Sequence, residues 1–333
     1  MSRAPVDAPD RLGAWLELAR ISNAPTVATN AMVGASAALI ADPTLDDGAS
    51  FAWRLLALAA AMMCMYSGGM MLNDRLDLEI DRLERPHRPI PSGRISPPAA
   101  LNASIALLGA GAILACAVDR AALAWVLALA AAIVLYDALH RRAVLGIPLL
   151  ALCRALAMAV PAAAISGRAA ISGAADEPWQ LLAWFAAPLF VYTVLVSVVA
   201  RREVEARSPA RWLGVLLVIP ALAPIASLSS GLLPPLTEER AFGAAFLVGA
   251  MIAWVARAQL FATPLPSRIA ARFLPRRVKP GGVRVPRAIM AWIGGICLVD
   301  ATSLVLLGQP ALALVALGLF FVVTVSHARI AGS

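Results

Sequence analysis

One stretch of an otherwise apolar chain carries residues able to do chemistry, and it runs from Asn73 to Ser96. Asn73, Asp77 and Asp81 recur every four residues, with Asp74 beside the first. On one helix that spacing gathers four oxygen-bearing side chains on or near one face. Carboxylates so close repel unless a cation lies among them. Oxygen-only donors suit a hard ion, and Mg2+ holding a phosphate is the usual case. Arg85, Arg88 and Arg94 follow in a stretch whose Pro86, Pro89 and Pro91 stop any helix. Carboxylates for a metal beside arginines for phosphate oxygens describe a diphosphate site. The competing reading is a solvated loop of mixed charge, but this cluster follows directly on a hydrophobic run.

The elements that must position these residues are membrane helices. Of the 333 residues 61% are hydrophobic and 14% charged, and the mean hydropathy is +0.79, which points to an all-α polytopic membrane protein. A span needs roughly 20 apolar residues. Ten candidates meet that requirement, at about 23–41, 52–72, 98–118, 121–137, 147–166, 179–200, 212–231, 241–260, 288–307 and 310–328. Residues 1–22 carry acidic groups and no compact apolar core before a cleavage site, so they read as an amphipathic cytoplasmic lead-in. Residues 23–330 read as a single transmembrane bundle. Cys64, Cys116, Cys153 and Cys297 lie within apolar runs without metal-type spacing, so neither disulfides nor zinc are expected.

The net charge of +8 is almost all arginine, Lys279 being the only lysine. The basic residues fall in loops between apolar runs, so the positive-inside rule accounts for them better than nucleic acid does. Arginines cluster before the first span and after the second, fourth, sixth and eighth, while the other loops are acidic or nearly neutral. Both termini and the aspartate cluster are therefore expected on the cytoplasmic side of the inner membrane. The longest connection, at about 262–287, reads as a basic cytoplasmic loop touching anionic headgroups.

Asn73-Asp74-x-x-Asp77-x-x-x-Asp81 and Arg85-Pro86-x-Arg88-Pro89-Ile90-x-x-Gly93-x-Ile95-Ser96 resemble the paired motifs of the UbiA superfamily of intramembrane prenyltransferases. Tyr136-Asp137-Ala138-Leu139-His140-Arg141-Arg142 is similar to the family's Tyr-x-x-x-Lys/Arg-Arg segment, and Arg20-x-x-Asn23-x-Pro25-Thr26 to its N-terminal element bordering the cavity. The resemblance implies nine or ten helices around a central cavity. It implies an isoprenyl diphosphate bound through Mg2+ to two aspartate motifs, and an aromatic or other lipophilic acceptor. On that footing Asn73, Asp74, Asp77, Asp81 and Glu203 are the metal ligands, with Asp74, Asp77 and Glu203 the catalytic set. Asn23, Arg85, Arg88, Tyr136, Arg141, Arg154 and Arg202 are the substrate-binding candidates. Asp81 either ligates directly or orients an arginine, and Tyr136 either donates to a phosphate or is an interfacial tyrosine.

The chain departs from the family at the second motif. Where Asp-x-x-x-Asp is usual it has Ala200-Arg201-Arg202-Glu203-Val204-Glu205-Ala206-Arg207, with Glu203 at the first position and Arg207 at the second. An arginine can neutralise phosphate in place of one ion, or catalysis can have been lost. This degraded motif and Leu152-Cys153-Arg154 resemble the EboC-like branch. A family member binding a prenyl lipid without turnover and a small-molecule transporter are the rivals. Arg154 and Asp300 are charges set inside expected spans. Charges there usually face a cavity or a partner. His140 reads as interfacial.

Overall fold

The structure, a computed structural model, describes residues 8–42, 49–167, 177–204, 213–233, 235–262 and 285–330. The described residues are helical, with no strand among them. The helices are α1 Ala8–Leu18, α2 Pro25–Ala41, α3 Ala49–Leu76, α4 Leu78–Glu84, α5 Pro97–Val118, α6 Ala122–Leu139, α7 Ala143–Ser166 and α8 Glu177–Val204. They continue as α9 Leu213–Leu216, α10 Val218–Leu222, a 3-10 helix Ala223–Ser230, α11 Glu238–Ala262, α12 Val285–Leu306 and α13 Pro310–Ile330. Eight of these helices are long and apolar enough to cross a membrane, and Pro25–Ala41 and Val218–Ser230 are shorter apolar segments. Together these ten segments coincide with the ten expected spans. The expected cytoplasmic loop falls largely on 263–284, outside the described residues. The chain divides into two compact units between Leu182 and Ala183, inside α8.

In the first unit α2 is buried from Pro25 to Leu39, its polar Thr26, Thr29, Asn30 and Ser36 included. Its small residues let α7 come close. A Cβ on Gly34 would lie 2.0 Å from the carbonyl oxygen of Met158. Close backbone approach through glycine and alanine is the usual way membrane helices gain dispersion contact. α3 meets α5 in the same manner, and Ser104 Oγ donates to the Gly68 carbonyl at 2.7 Å. Arg54, near the start of α3, donates to the carbonyls of Ala164 and Ile165 at 3.2 and 3.4 Å. These belong to the last turn of α7, whose carbonyls have no partner within the helix.

α1 lays Ala14 and Leu18 against Met71, Leu78, Ile90 and Ile95, leaving Leu12 and Leu16 exposed. This cluster joins the lead-in to the end of α3 and to the proline-rich loop. α1 then closes with a Schellman arrangement: Ile21 N–H donates to Leu16 O at 3.2 Å and Arg20 N–H to Glu17 O at 3.0 Å. The left-handed position in that motif is normally glycine. Here it is Arg20, φ +47, the one non-glycine residue with positive φ among the described residues. A non-glycine residue there costs about 1–2 kcal/mol.

In the second unit α12 is the buried helix. Trp292 sits on it with its backbone oxygen accepting from Tyr192 at 2.7 Å, and Asp300 is fully buried. The segment expected as the seventh span is broken. Pro220 lies in α10 and Pro224 opens the 3-10 helix, each removing a backbone donor. The hydroxyls of Ser227, Ser229 and Ser230 donate to carbonyls three residues back. Arg240, in the first turn of α11, donates to Val305 O at 3.2 Å and also to Leu306 O, closing the end of α12.

Candidate active site

The aspartate stretch does not form the single helix its spacing predicts. α3 ends at Leu76, Asp77 adopts φ −84, ψ 3, and α4 begins at Leu78. The hydrogen-bond ladder carries across the break, with Asp77 N–H on Asn73 O and Asp81 N–H on Asp77 O, both at 2.9 Å. The i, i+4 relation between the carboxylates therefore survives. The loop after α4 folds on itself through Arg88 N–H to Arg85 O at 3.1 Å and Ile95 N–H to Pro89 O at 3.0 Å. Ile90 and Ile95 anchor it in the apolar cluster beneath. That anchoring turns Arg88 back over the helix it has just left.

Arg88 Nη1 lies 3.2 Å from Asp74 Oδ1 and 2.6 Å from Asp81 Oδ2. One nitrogen thus joins two buried carboxylates. Arg20 Nη2 reaches the same Asp74 oxygen at 3.1 Å, and Arg85 Nη1 stands 3.9 Å from Asp81 Oδ1. Burial works against the charge on Arg20, but Asp74, with Tyr66 and Tyr136, outweighs it and raises the guanidinium pKa above its ordinary value. Asp77 is held from just past the end of α6: His140 Nε2 lies 3.2 Å from Oδ2 and Arg141 Nη2 3.2 Å from Oδ1. One turn back along both helices, Asn73 Nδ2 donates to Asp137 Oδ1 at 3.2 Å. The two rungs, Asn73 to Asp137 and Asp77 to His140 and Arg141, tie α3 to α6.

Guanidinium groups lie among these carboxylates and carry neutralising charge. Among the described residues no group of three or more His, Cys, Asp and Glu side chains is arranged to hold a metal ion. The donor chemistry nonetheless fits a hard cation. Asp74 and Asp81 already converge on a positively charged point, and Arg88 occupies it as a stand-in ion.

The other expected site residues are placed as follows. Asn23 is buried, and its carbonyl accepts from Thr26 Oγ1 at 2.8 Å. Tyr136 lies against the His140 ring at a centroid distance of 5.7 Å. Arg154 donates to Thr26 Oγ1 at 2.8 Å and Asn30 Oδ1 at 3.2 Å, and lies over the Tyr66 ring. It therefore pins α7 to α2. The backbone of Arg202 and Glu203 continues α8 to Val204, but their side chains, and all of Arg207, lie outside the described residues. Sequence reasoning left Arg20, Asp137 and His140 out of the site. The signal was there in the segments Arg20-x-x-Asn23 and Tyr136 to Arg142, both quoted above for their resemblance.

The model of the UbiA prenyltransferase family matches residues 30–279. Digeranylgeranylglyceryl phosphate synthase of Methanopyrus kandleri is 40% identical over 111 residues, 33% of this chain and 38% of that protein. The synthase of the same name from Methanothrix thermoacetophila is 44% identical over 79 residues, 24% of this chain and 30% of that one. That from Ignicoccus hospitalis is 34% identical over 113 residues, 34% of each chain. The matched stretches span about a third of the length of these relatives. A solved structure described as digeranylgeranylglyceryl phosphate synthase in membranes aligns with 90% of this chain and 99% of its own, at a TM-score of 0.51 and 18% identity, which establishes a shared helical fold.

Proposed function

Because the chain belongs to the UbiA prenyltransferase family, we propose that it transfers an isoprenyl group from a prenyl diphosphate to a lipophilic acceptor, at the cytoplasmic side of the inner membrane. The observation that carries this reading is the convergence of Asp74 and Asp81 on one nitrogen of Arg88, with Arg20 on the same Asp74 oxygen. A site built of alternating carboxylates and guanidinium groups suits a ligand that arrives as a metal and a polyanion together.

Asn73, Asp74, Asp77 and Asp81 would hold Mg2+, and the resemblance adds Glu203. When bound, the ion stabilises the negative charge of the departing diphosphate. Arg20, Arg85, Arg88 and Arg141 turn from the carboxylates toward phosphate oxygens, and the resemblance adds Arg202. There their charge offsets the negative charge that develops on the departing diphosphate. Tyr136 donates its hydroxyl proton to a phosphate oxygen. Asn23, just before α2, and Arg154, against it, border the substrate. The apolar interior keeps the allylic cation from water until the acceptor attacks. The names of the relatives support a glyceryl phosphate lipid as acceptor over an aromatic one.

The test is release of diphosphate from geranylgeranyl diphosphate by the purified protein, with and without Mg2+, against glyceryl phosphate lipids and aromatic acids. Mg2+-dependent release with one acceptor class supports transfer and identifies the class. Saturable binding of the prenyl diphosphate with no release by any acceptor favours the non-catalytic reading, to which Arg207 at the second motif speaks.

A further inference from the structure

Asp137 sits in the last turn of α6 and is 4% exposed. One carboxylate oxygen accepts from Asn73 Nδ2 at 3.2 Å. The other, Oδ2, is fully buried and has no hydrogen-bond partner among the described residues. Asn73 precedes Asp74 in sequence and lies four residues before Asp77, and the residues that hold Asp77, His140 and Arg141, follow Asp137 just past the end of α6. The unpartnered oxygen is thus on the rung next to the carboxylate cluster. A buried, unsatisfied carboxylate oxygen is costly, and a chain keeps one where something binds it.

We propose that Asp137 is a further divalent-cation ligand of this site, replacing from α6 the carboxylate that the second motif has lost. The proposal rests on the reading of the Asn73–Asp81 face as a metal site. The hydrogen bond from Asn73 Nδ2 fixes the amide so that its carbonyl oxygen remains a donor, as does Asp137 Oδ2. The pair thereby offers two oxygens, the donor type a hard cation takes. Asp74 stands next on α3, and Asp77 at the break that follows it. At the second motif the chain has Glu203 with Arg207 four residues on, one carboxylate fewer than Asp-x-x-x-Asp supplies. Asp137 restores the count from within the first unit.

The probe is Mn2+ alone, titrated into the full chain in lipid nanodiscs and read by the loss of the free-ion electron paramagnetic resonance signal, with no prenyl substrate present. Asp137→Asn keeps the shape and removes the charge, and is expected to weaken Mn2+ binding at least 10-fold at unchanged helical content. Asp137→Ser, which opens space instead of crowding the site, gives the same loss, and Asp137→Glu recovers binding to within about threefold. Asp74→Asn is the control on the underlying site. Loss in Asp74→Asn with unchanged affinity in either folded Asp137 variant overturns the proposal and leaves the proposed function standing. Absence of Mn2+ binding in the unaltered protein overturns both.

Discussion

Replacing Arg88 by glutamine removes the one group that touches both Asp74 and Asp81 among the described residues. The Asp81 side chain is 2% exposed and that of Asp74 7%. Removing one partner of a buried pair commonly costs about 3–5 kcal/mol, because the other charge is left uncompensated. Two neighbours reduce that here: Arg20 stays on Asp74 at 3.1 Å, and Arg85 stands 3.9 Å from Asp81, close enough to turn inward. The expected loss is then about 2–3 kcal/mol, or about 4–6 °C in midpoint for a large chain. Thermal unfolding in detergent, followed by tryptophan fluorescence in EDTA, measures it. The cycle with Asp81→Asn isolates the pair, and a coupling of about 2 kcal/mol is expected. Mg2+ gives the second half of the argument. Freed of the guanidinium, the carboxylates lack a counter-charge, so saturating Mg2+ raises the Arg88→Gln midpoint more than that of the unaltered protein. A ligand at 100 times its Kd adds about 2.7 kcal/mol, enough to erase the defect. A loss below about 0.5 kcal/mol in EDTA, or equal Mg2+ stabilisation of the two proteins, refutes the account of Arg88 as a stand-in cation.

Gly34→Ala places a methyl group 2.0 Å from the Met158 carbonyl, so α2 and α7 must separate; a loss of about 2–3 kcal/mol is expected, read as a lower melting midpoint. Arg154→Ala removes a donor that reaches buried Thr26 and Asn30, and about 2 kcal/mol is expected for the two lost hydrogen bonds, with Arg154→Lys recovering part of it. Asp74→Ala takes away the acceptor shared by Arg20 and Arg88 and is expected to weaken Mg2+-dependent prenyl diphosphate binding at least 10-fold by equilibrium dialysis, affinity unchanged at controlled Mg2+ being the contrary result. A reporter fused after Ser333 is expected to be active only as a cytoplasmic fusion if all ten apolar segments cross.

The positions of the apolar segments were legible because twenty or so apolar residues between charged loops have few other fates. The break in the seventh was legible in Pro220 and Pro224, since proline takes a donor out of the ladder. The break at Asp77 was not, for no glycine or proline marks it. The ends of α3 and α4 answer to the arginines above and the apolar cluster below. Arg20 reaches a residue 54 positions away and Arg141 one 64 away, and no local pattern encodes such a pairing. Asp137 was passed over because it lies at the end of an apolar run, where one carboxylate looks incidental until its neighbour is seen to be Asn73. Arg154 was expected to reach the diphosphate or to snorkel, and its hydrogen bonds to Thr26 and Asn30, more than 120 positions away, fasten α7 to α2.

The arginine clamps at the ends of α7 and α12 bear on the order in which the protein is made. Arg54 closes on carbonyls 110 and 111 residues further along the chain, and Arg240 on carbonyls 65 and 66 further on. At a ribosomal pace of roughly 5–20 residues per second, Arg54 waits roughly 5–20 s for α7 to emerge and Arg240 roughly 3–13 s for α12. During each wait a bare guanidinium stands at the headgroups, where its hydration opposes sinking deeper. Each clamp lies wholly inside one compact unit, so the first is complete before the second has been translated. A nascent chain halted just beyond Ile165 already holds every residue of the earlier clamp, which makes its closure a timestamp for co-translational assembly.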